Sequence, residues 1–170
     1  MIQIRPETPA DADAIHRVHV AAFPTEVEAR LVDALRANNR TLISLVADDD
    51  GDIVGHILFT PVTFADGDPT ARGAGLAPLA VVPARQRRGI GAMLIGAGIQ
   101  ACRDAGVGFV VVLGEPAYYQ RFGFARAADR GLTNEYGVFD EFMVIETAPR
   151  ALTRIGGLVK YAPEFQEAAP

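Results

Sequence analysis

The chain has 170 residues, a net charge of −5 and a pI near 5.2, with 49% hydrophobic and 22% charged residues, the make-up of an ordinary globular domain able to bury its own core. The acidic balance argues against the wide basic face that nucleic acid or an anionic membrane requires, and the local cluster Arg85, Arg87 and Arg88 is telling because it opposes that sign. The single cysteine, Cys102, excludes an internal disulfide and any multi-cysteine metal site, and no apolar run reaches membrane-spanning length.

In chain order, Ile2–Arg5 reads as a strand, not as a charged start leading into the apolar stretch of a signal peptide. Thr8 is a helix N-cap, followed by Pro9 in the first turn and Asp11 near the positive end. That helix carries Ile15, Val18 and Ala22 on one face and stops before Pro24. A second helix runs from Glu26 to Ala37 and ends at Asn38 and Asn39. Leu42–Ala47 and Ile53–Phe64 form a hairpin across the acidic turn Asp48–Asp52, which lacks the spaced ligands of a calcium loop. Residues 65–69 make another turn and Ala74–Val82 the next strand. A helix reaching Ala105 follows, with Cys102 as a packed thiol. Val107–Leu113 is uniformly apolar, as in a central strand buried on both faces. Pro116–Phe122 is a short helix and Phe142–Glu146 a late strand. The pattern predicts an α/β fold: one domain over residues 2–162, with a frayed tail over 163–170.

The most informative segment joins strand to helix: Gln86-Arg87-Arg88-Gly89-Ile90-Gly91-Ala92, directly after Leu79-Ala80-Val81-Val82. Glycines let a backbone approach an anion closely, the first N–H groups of a helix point at it, and arginines add charge pairing. This is the chemistry of a phosphate site. No Lys-Ser or Lys-Thr follows the glycines, so it is not a Walker loop. Leu94 stands where a dinucleotide fingerprint needs a small residue. The G-x-G-x-x-A match at Gly96, Gly98 and Ala101 lies inside the helix and is taken as chance.

The loop pattern Q-x-x-G-x-G-A after L-A-V-V-P resembles the acyl-coenzyme A pyrophosphate loop of the GNAT superfamily of N-acetyltransferases. About thirty residues on, Tyr119-x-x-x-Gly123-Phe124 matches the family again, and Gly55–Val62 with Pro116–Phe124 resembles its YhbS-like branch. The resemblance covers residues 2 to 146. It implies a mixed, mostly antiparallel sheet flanked by helices, with splayed central strands, and acetyl-CoA as co-substrate without a metal. Leu79, Ala80, Val81 and Val82 would pair with the pantetheine arm, the Val81 N–H near the thioester oxygen. Residues Gln86, Arg87, Arg88, Gly89, Ile90, Gly91 and Ala92 would hold the pyrophosphate, and Tyr119 would act as general acid near the sulfur. Many relatives have an asparagine before that tyrosine, where this chain has Glu115-Pro116.

The acceptor amine needs a proton acceptor, since a lysine-like amine is neutral in only about one molecule in 2,500 at pH 7. Glu28 shares a helical face with Leu31, Val32 and Leu35, either lining a cleft as the base or reaching solvent from the stripe's edge. Glu26 pairs with Arg30 four residues on. His56, sharing a strand face with Val54 and Leu58, reads first as a core histidine, and Glu115 as a solvated carboxylate. Both stand as alternative bases, as does water. Tyr118 competes with Tyr119 as the acid. His16 and His19 read as structural or exposed. The expected reaction is direct acetyl transfer to a primary amine in a ternary complex, in the cytoplasm, with homodimerisation left open. The acceptor's identity is open too. Rival readings are a transferase of longer acyl groups and a regulatory module that binds acyl-CoA without turnover.

Overall fold

The computed structural model of the protein describes residues 1–66, 71–153 and 155–168. Its chain folds into two compact units, Met1–Phe59 with Ala77–Gly98 and Pro163–Pro170, and Thr60–Leu76 with Ile99–Ala162.

In the first unit, β1 (Ile2–Pro6) pairs antiparallel with β2 (Ile43–Asp49), which pairs antiparallel with β3 (Asp52–Phe64). Thr8 is the N-cap expected, now of a short 3-10 turn, Pro9–Asp11, and with Asp11 it forms a capping box. Asp11 also receives Arg5 at 2.8 and 3.0 Å, and Arg5 reaches Asp48 at 2.9 Å. These bonds tie β1 to the β2–β3 turn. Helix α1 (Ala12–Ala22) buries Ile15, Val18 and His19, and α2 (Val27–Ala37) buries Ala29, Leu31, Val32 and Leu35, the three-to-four spacing of an amphipathic helix. Asn39 (φ 55°) lets Arg40 N–H return to Leu35 O at 2.9 Å and ends α2 where the paired asparagines predict. Helix α3 (Ile90–Asp104) packs closely on β3 in this unit, because a Cβ on Gly98 would stand 2.4 Å from the Phe59 ring. This accounts for Gly98, whereas nothing lies within 4 Å of a Cβ on Gly96.

Strand β4 (Gly73–Val81) follows β3 in the sheet, whose order is β1-β2-β3-β4-β5-β8-β6. In the second unit, β5 (Phe109–Leu113) is the buried strand expected, with Phe109 to Val112 at 0–1% exposure. Each fully buried side chain of this size contributes about 1.5–3 kcal/mol. The parallel β4–β5 ladder has three pairs, Gly73–Gly75 against Phe109–Val111, though β4 continues to Val81. This short ladder agrees with the divergence expected of the central strands. On its other side β5 pairs antiparallel with β8 (Phe142–Glu146), and the helix expected from Pro116 is α4 (Pro116–Gln120).

Four elements escape the sequence reading. Strands β6 (Ala125–Arg126), β7 (Leu132–Asn134) and β9 (Gly157–Lys160) are each four residues or fewer. The frayed tail is corrected over residues 164–168. There the chain forms α5 (Glu164–Ala168), with Glu164 buried and bonded to Asn38 and Arg40. Residues 67–69 of the expected turn and 169–170 of the tail lie outside the described residues.

Candidate active site

The strand-to-helix loop is built almost wholly from local chain. Strand β4 ends at Val81, and Val82 N–H donates to Val54 O at 2.9 Å, fixing the exit against β3. A 3-10 turn over Pro83–Arg85 follows. The Gln86 side-chain amide then folds back to donate to Val81 O at 2.9 Å. Arg87 (φ 61°) and Gly89 (φ 82°) take left-handed conformations that reverse the chain into α3, and nothing lies within 4 Å of a Cβ placed on Gly89. That space is open. The first helical bond runs from Met93 N–H to Gly89 O at 3.0 Å. The N–H groups of Ile90, Gly91 and Ala92 therefore belong to the first turn, which has no carbonyl of its own to bind. The small Gly91 and Ala92 leave those donors unshielded.

The arginines divide. Arg85, grouped by sequence with Arg87 and Arg88, is an ion-pair partner of Asp49 at 2.5 Å, and buttresses the loop from β2 instead of facing a ligand. Arg87 and Arg88 are exposed and have no ion pair among the described residues. Two free guanidiniums, a left-handed turn and a helix N-terminus fit a pyrophosphate.

Glu28 lies in the first turn of α2 on the stripe with Leu31, Val32 and Leu35. Its side chain is half-buried, and Oε2 is shut away from solvent with no hydrogen-bond partner. Glu26 instead pairs with Arg30 at 3.0 Å, as its spacing predicts.

His56 is a core histidine, 0% exposed. Its Nε2 meets Ser44 Oγ at 2.7 Å and its Nδ1 meets His19 Nε2 at 2.8 Å. His19 is equally buried, stacks on Phe23, and leaves Nδ1 without a partner. Burial holds His19 down at about 4, and burial followed by the neighbouring His19 holds His56 well below the ordinary imidazole value. Both are neutral near pH 7. This chain of three side chains was missed because its members lie 12 and 37 residues apart. His16 faces outward and binds Asp33 of α2 at 2.7 Å.

Tyr118, Tyr119 and Glu115 belong to the second unit. Tyr119 packs edge-on against Tyr118 and Phe124, and its ring fills the space beside Gly114, where a Cβ would stand 2.3 Å away. Burial, and then the neighbouring Tyr118, pushes its phenol up to about 12. Tyr118 is less buried and lies under the Arg121 guanidinium, and Glu115 is exposed. Cys102 is buried, its thiol raised to about 12 by burial. Among the described residues, no three His, Cys, Asp or Glu converge as a metal site, and no helix is long and apolar enough to cross a membrane.

A family model of an acetyltransferase (GNAT) domain matches residues 3–127. The sequence is 37% identical over 164 residues to the uncharacterized N-acetyltransferase YhbS of Escherichia coli strain K12, covering 95% of this chain and 97% of that one. The crystal structure of E. coli YhbS in complex with CoA matches with a TM-score of 0.92 at 35% identity, over 97% of this chain and 92% of that one. A GNAT acetyltransferase from Brucella melitensis in complex with acetyl-CoA matches with a TM-score of 0.81 at 36% identity, over 97% and 98%. The phosphate-type loop, the sheet and these relatives agree: the chain belongs to the GNAT family and is an N-acetyltransferase.

Proposed function

We propose that this single-domain enzyme uses acetyl-CoA and passes the acetyl group directly to a primary amine while both are bound. The carrying observation is the loop at 86–92. Left-handed Arg87 and Gly89 open a helix N-terminus beside two guanidiniums that have no ion pair among the described residues. The relatives crystallised with CoA and acetyl-CoA support the same donor. A reaction that consumes acetyl-CoA is one for the cytoplasm.

Residues Leu79–Val82 align the pantetheine arm, and the Val81 N–H serves the developing oxyanion. Glu28 receives the acceptor. An ammonium donates to the unpartnered Oε2, and the carboxylate holds the proton that the amine must lose before it attacks. His56 is the weaker candidate, with both ring nitrogens engaged inside the core. Tyr119 serves the leaving sulfur. A phenol near 12 is a weaker acid than a thiol of about 8.5, so full proton transfer from it is uphill by about 3.5 in pKa. Its role is therefore hydrogen-bond donation to the thiolate, and no described residue competes for its hydroxyl.

The test is thiol release from acetyl-CoA against a panel of amines, with longer acyl-CoA thioesters in parallel. Amine-dependent release that is fastest with acetyl supports the proposal. Coenzyme binding without release by any amine points to the regulatory module, and faster release with a longer chain points to another acyl group.

A further inference from the structure

A second place in the molecule has the ingredients of an anion site. In the second unit a cavity of about 370 Å³ is lined by Arg103, Glu146, Thr147, Ala148, Pro149 and Arg150. Three charged groups line it, and among the described residues only one of them, Glu146, has a counter-charge. Glu146 is ion-paired with Arg130 and also receives the backbone N–H of Leu152 at 3.4 Å. It is spoken for. Asp104, next in sequence to Arg103, accepts from the Gln100 amide at 3.0 Å. Arg103 and Arg150 are exposed and have no carboxylate partner among the described residues.

The backbone supplies an independent sign. Among the described residues, the non-glycine positions with positive φ are Asn39, Asp50, Arg87 and Arg150. Asparagine and aspartate enter that region readily through their short polar side chains, whereas arginine gains no such relief. Glycine makes such a turn freely, as Gly51 (φ 102°) and Gly131 (φ 76°) do here. An arginine held left-handed at φ 58° carries a steric cost that the surrounding fold sustains, which marks the position as a special one. The other left-handed arginine, Arg87, sits in the phosphate-type loop.

We propose that Arg103 and Arg150 form a second anion site, for the phosphoryl group of a small phosphorylated ligand. Guanidiniums bind phosphate oxygens through paired N–H donors, and two of them facing one cavity relieve their mutual repulsion by holding a multiply charged anion. The chain's net charge of −5 makes an uncompensated positive cavity stand out from the whole. An open pocket of about 370 Å³ has room for a phosphoryl group with a small moiety attached.

Full-length protein is first saturated with CoA, so that the 86–92 loop is occupied, and then titrated with inorganic pyrophosphate by calorimetry. Inorganic phosphate and citrate form parallel arms. One pyrophosphate per chain is expected, bound more tightly than phosphate or citrate. Arg103→Gln combined with Arg150→Gly should weaken it at least tenfold, while Arg150→Gly alone should unfold no earlier than wild type because it relieves the turn. Absence of pyrophosphate binding to the CoA-saturated protein, or binding unaltered in the double variant, overturns the site. Tighter binding of citrate overturns the phosphoryl assignment.

Discussion

Glu28 leaves a carboxylate oxygen buried and unpartnered, a condition that costs about 1–3 kcal/mol and is relieved by an incoming donor. Glu28→Gln keeps the shape but cannot take a proton. It should lower kcat/KM about 10²-fold or more at low pH, where the amine is almost wholly protonated. The loss should shrink as pH approaches the amine's own pKa. A loss independent of pH, with a lower Tm, would make Glu28 structural. Tyr119→Phe should lower kcat about 10- to 10²-fold and leave acetyl-CoA affinity unchanged, the modest figure reflecting donation from a phenol near 12. A larger kcat effect from Tyr118→Phe would transfer the role to Tyr118. At this scale, residues were legible where neighbours along the chain shape them. The glycine turn that leads from β4 into α3 and the N-cap at Thr8 were readable. Arg85 was misgrouped because its partner Asp49 lies on another strand.

Elements were legible in proportion to their length and periodicity. Helices α1, α2 and α3 announce themselves through apolar stripes or a glycine start, and β5 through its unbroken apolar run. Strands β7 and β9 pair parallel to each other over three positions, and nothing in such short stretches marks them out. Helix α5, five residues long, has no stripe to read either. What holds it is tertiary: Glu164 Oε1 accepts from Asn38 Nδ2 and Arg40 Nε, each at 3.0 Å, at the end of α2. Burial opposes the charge on Glu164, yet its own backbone amide, Arg40 and Asn38 keep its carboxyl below the ordinary range. Hydrogen bonds to a charged group contribute about 1.5–3 kcal/mol. Glu164→Ala should therefore lower unfolding stability by about 2 kcal/mol in urea, whereas Glu167→Ala, on the exposed side of the same helix, should change it little. Equal effects from the two would show that α5 is not held by Glu164.

For the whole molecule, the buried imidazoles tie folding to pH. Burial depresses His19 to about 4, assisted by His16 and Arg36 and opposed by Asp33, and depresses His56 further below its ordinary value. The unfolded chain exposes both near 6.5. Between those values the unfolded state binds protons that the folded state refuses, so stability rises with pH through this window. It is fully present above about 6.5 and declines as pH falls, by about 3 kcal/mol for His19 by the time pH reaches 4. The carboxylates with lowered values, such as Asp11 and Glu146, have the same sign but act below their unfolded values of about 4, so the two windows separate. Urea unfolding should then show stability falling from pH 6 to pH 5, by about 1 kcal/mol for each imidazole that the fold keeps neutral. His19→Gln should remove about half of it and leave the acid limb below pH 4 in place. An unchanged slope in that variant would mean that His19 takes up its proton without leaving the fold. The same protonation would place a charge beside His56 in the core, and loosening of α1 on the sheet should then appear as lower amide-exchange protection along α1, each rate taken against its intrinsic value at that pH, at pH 5 than at pH 7.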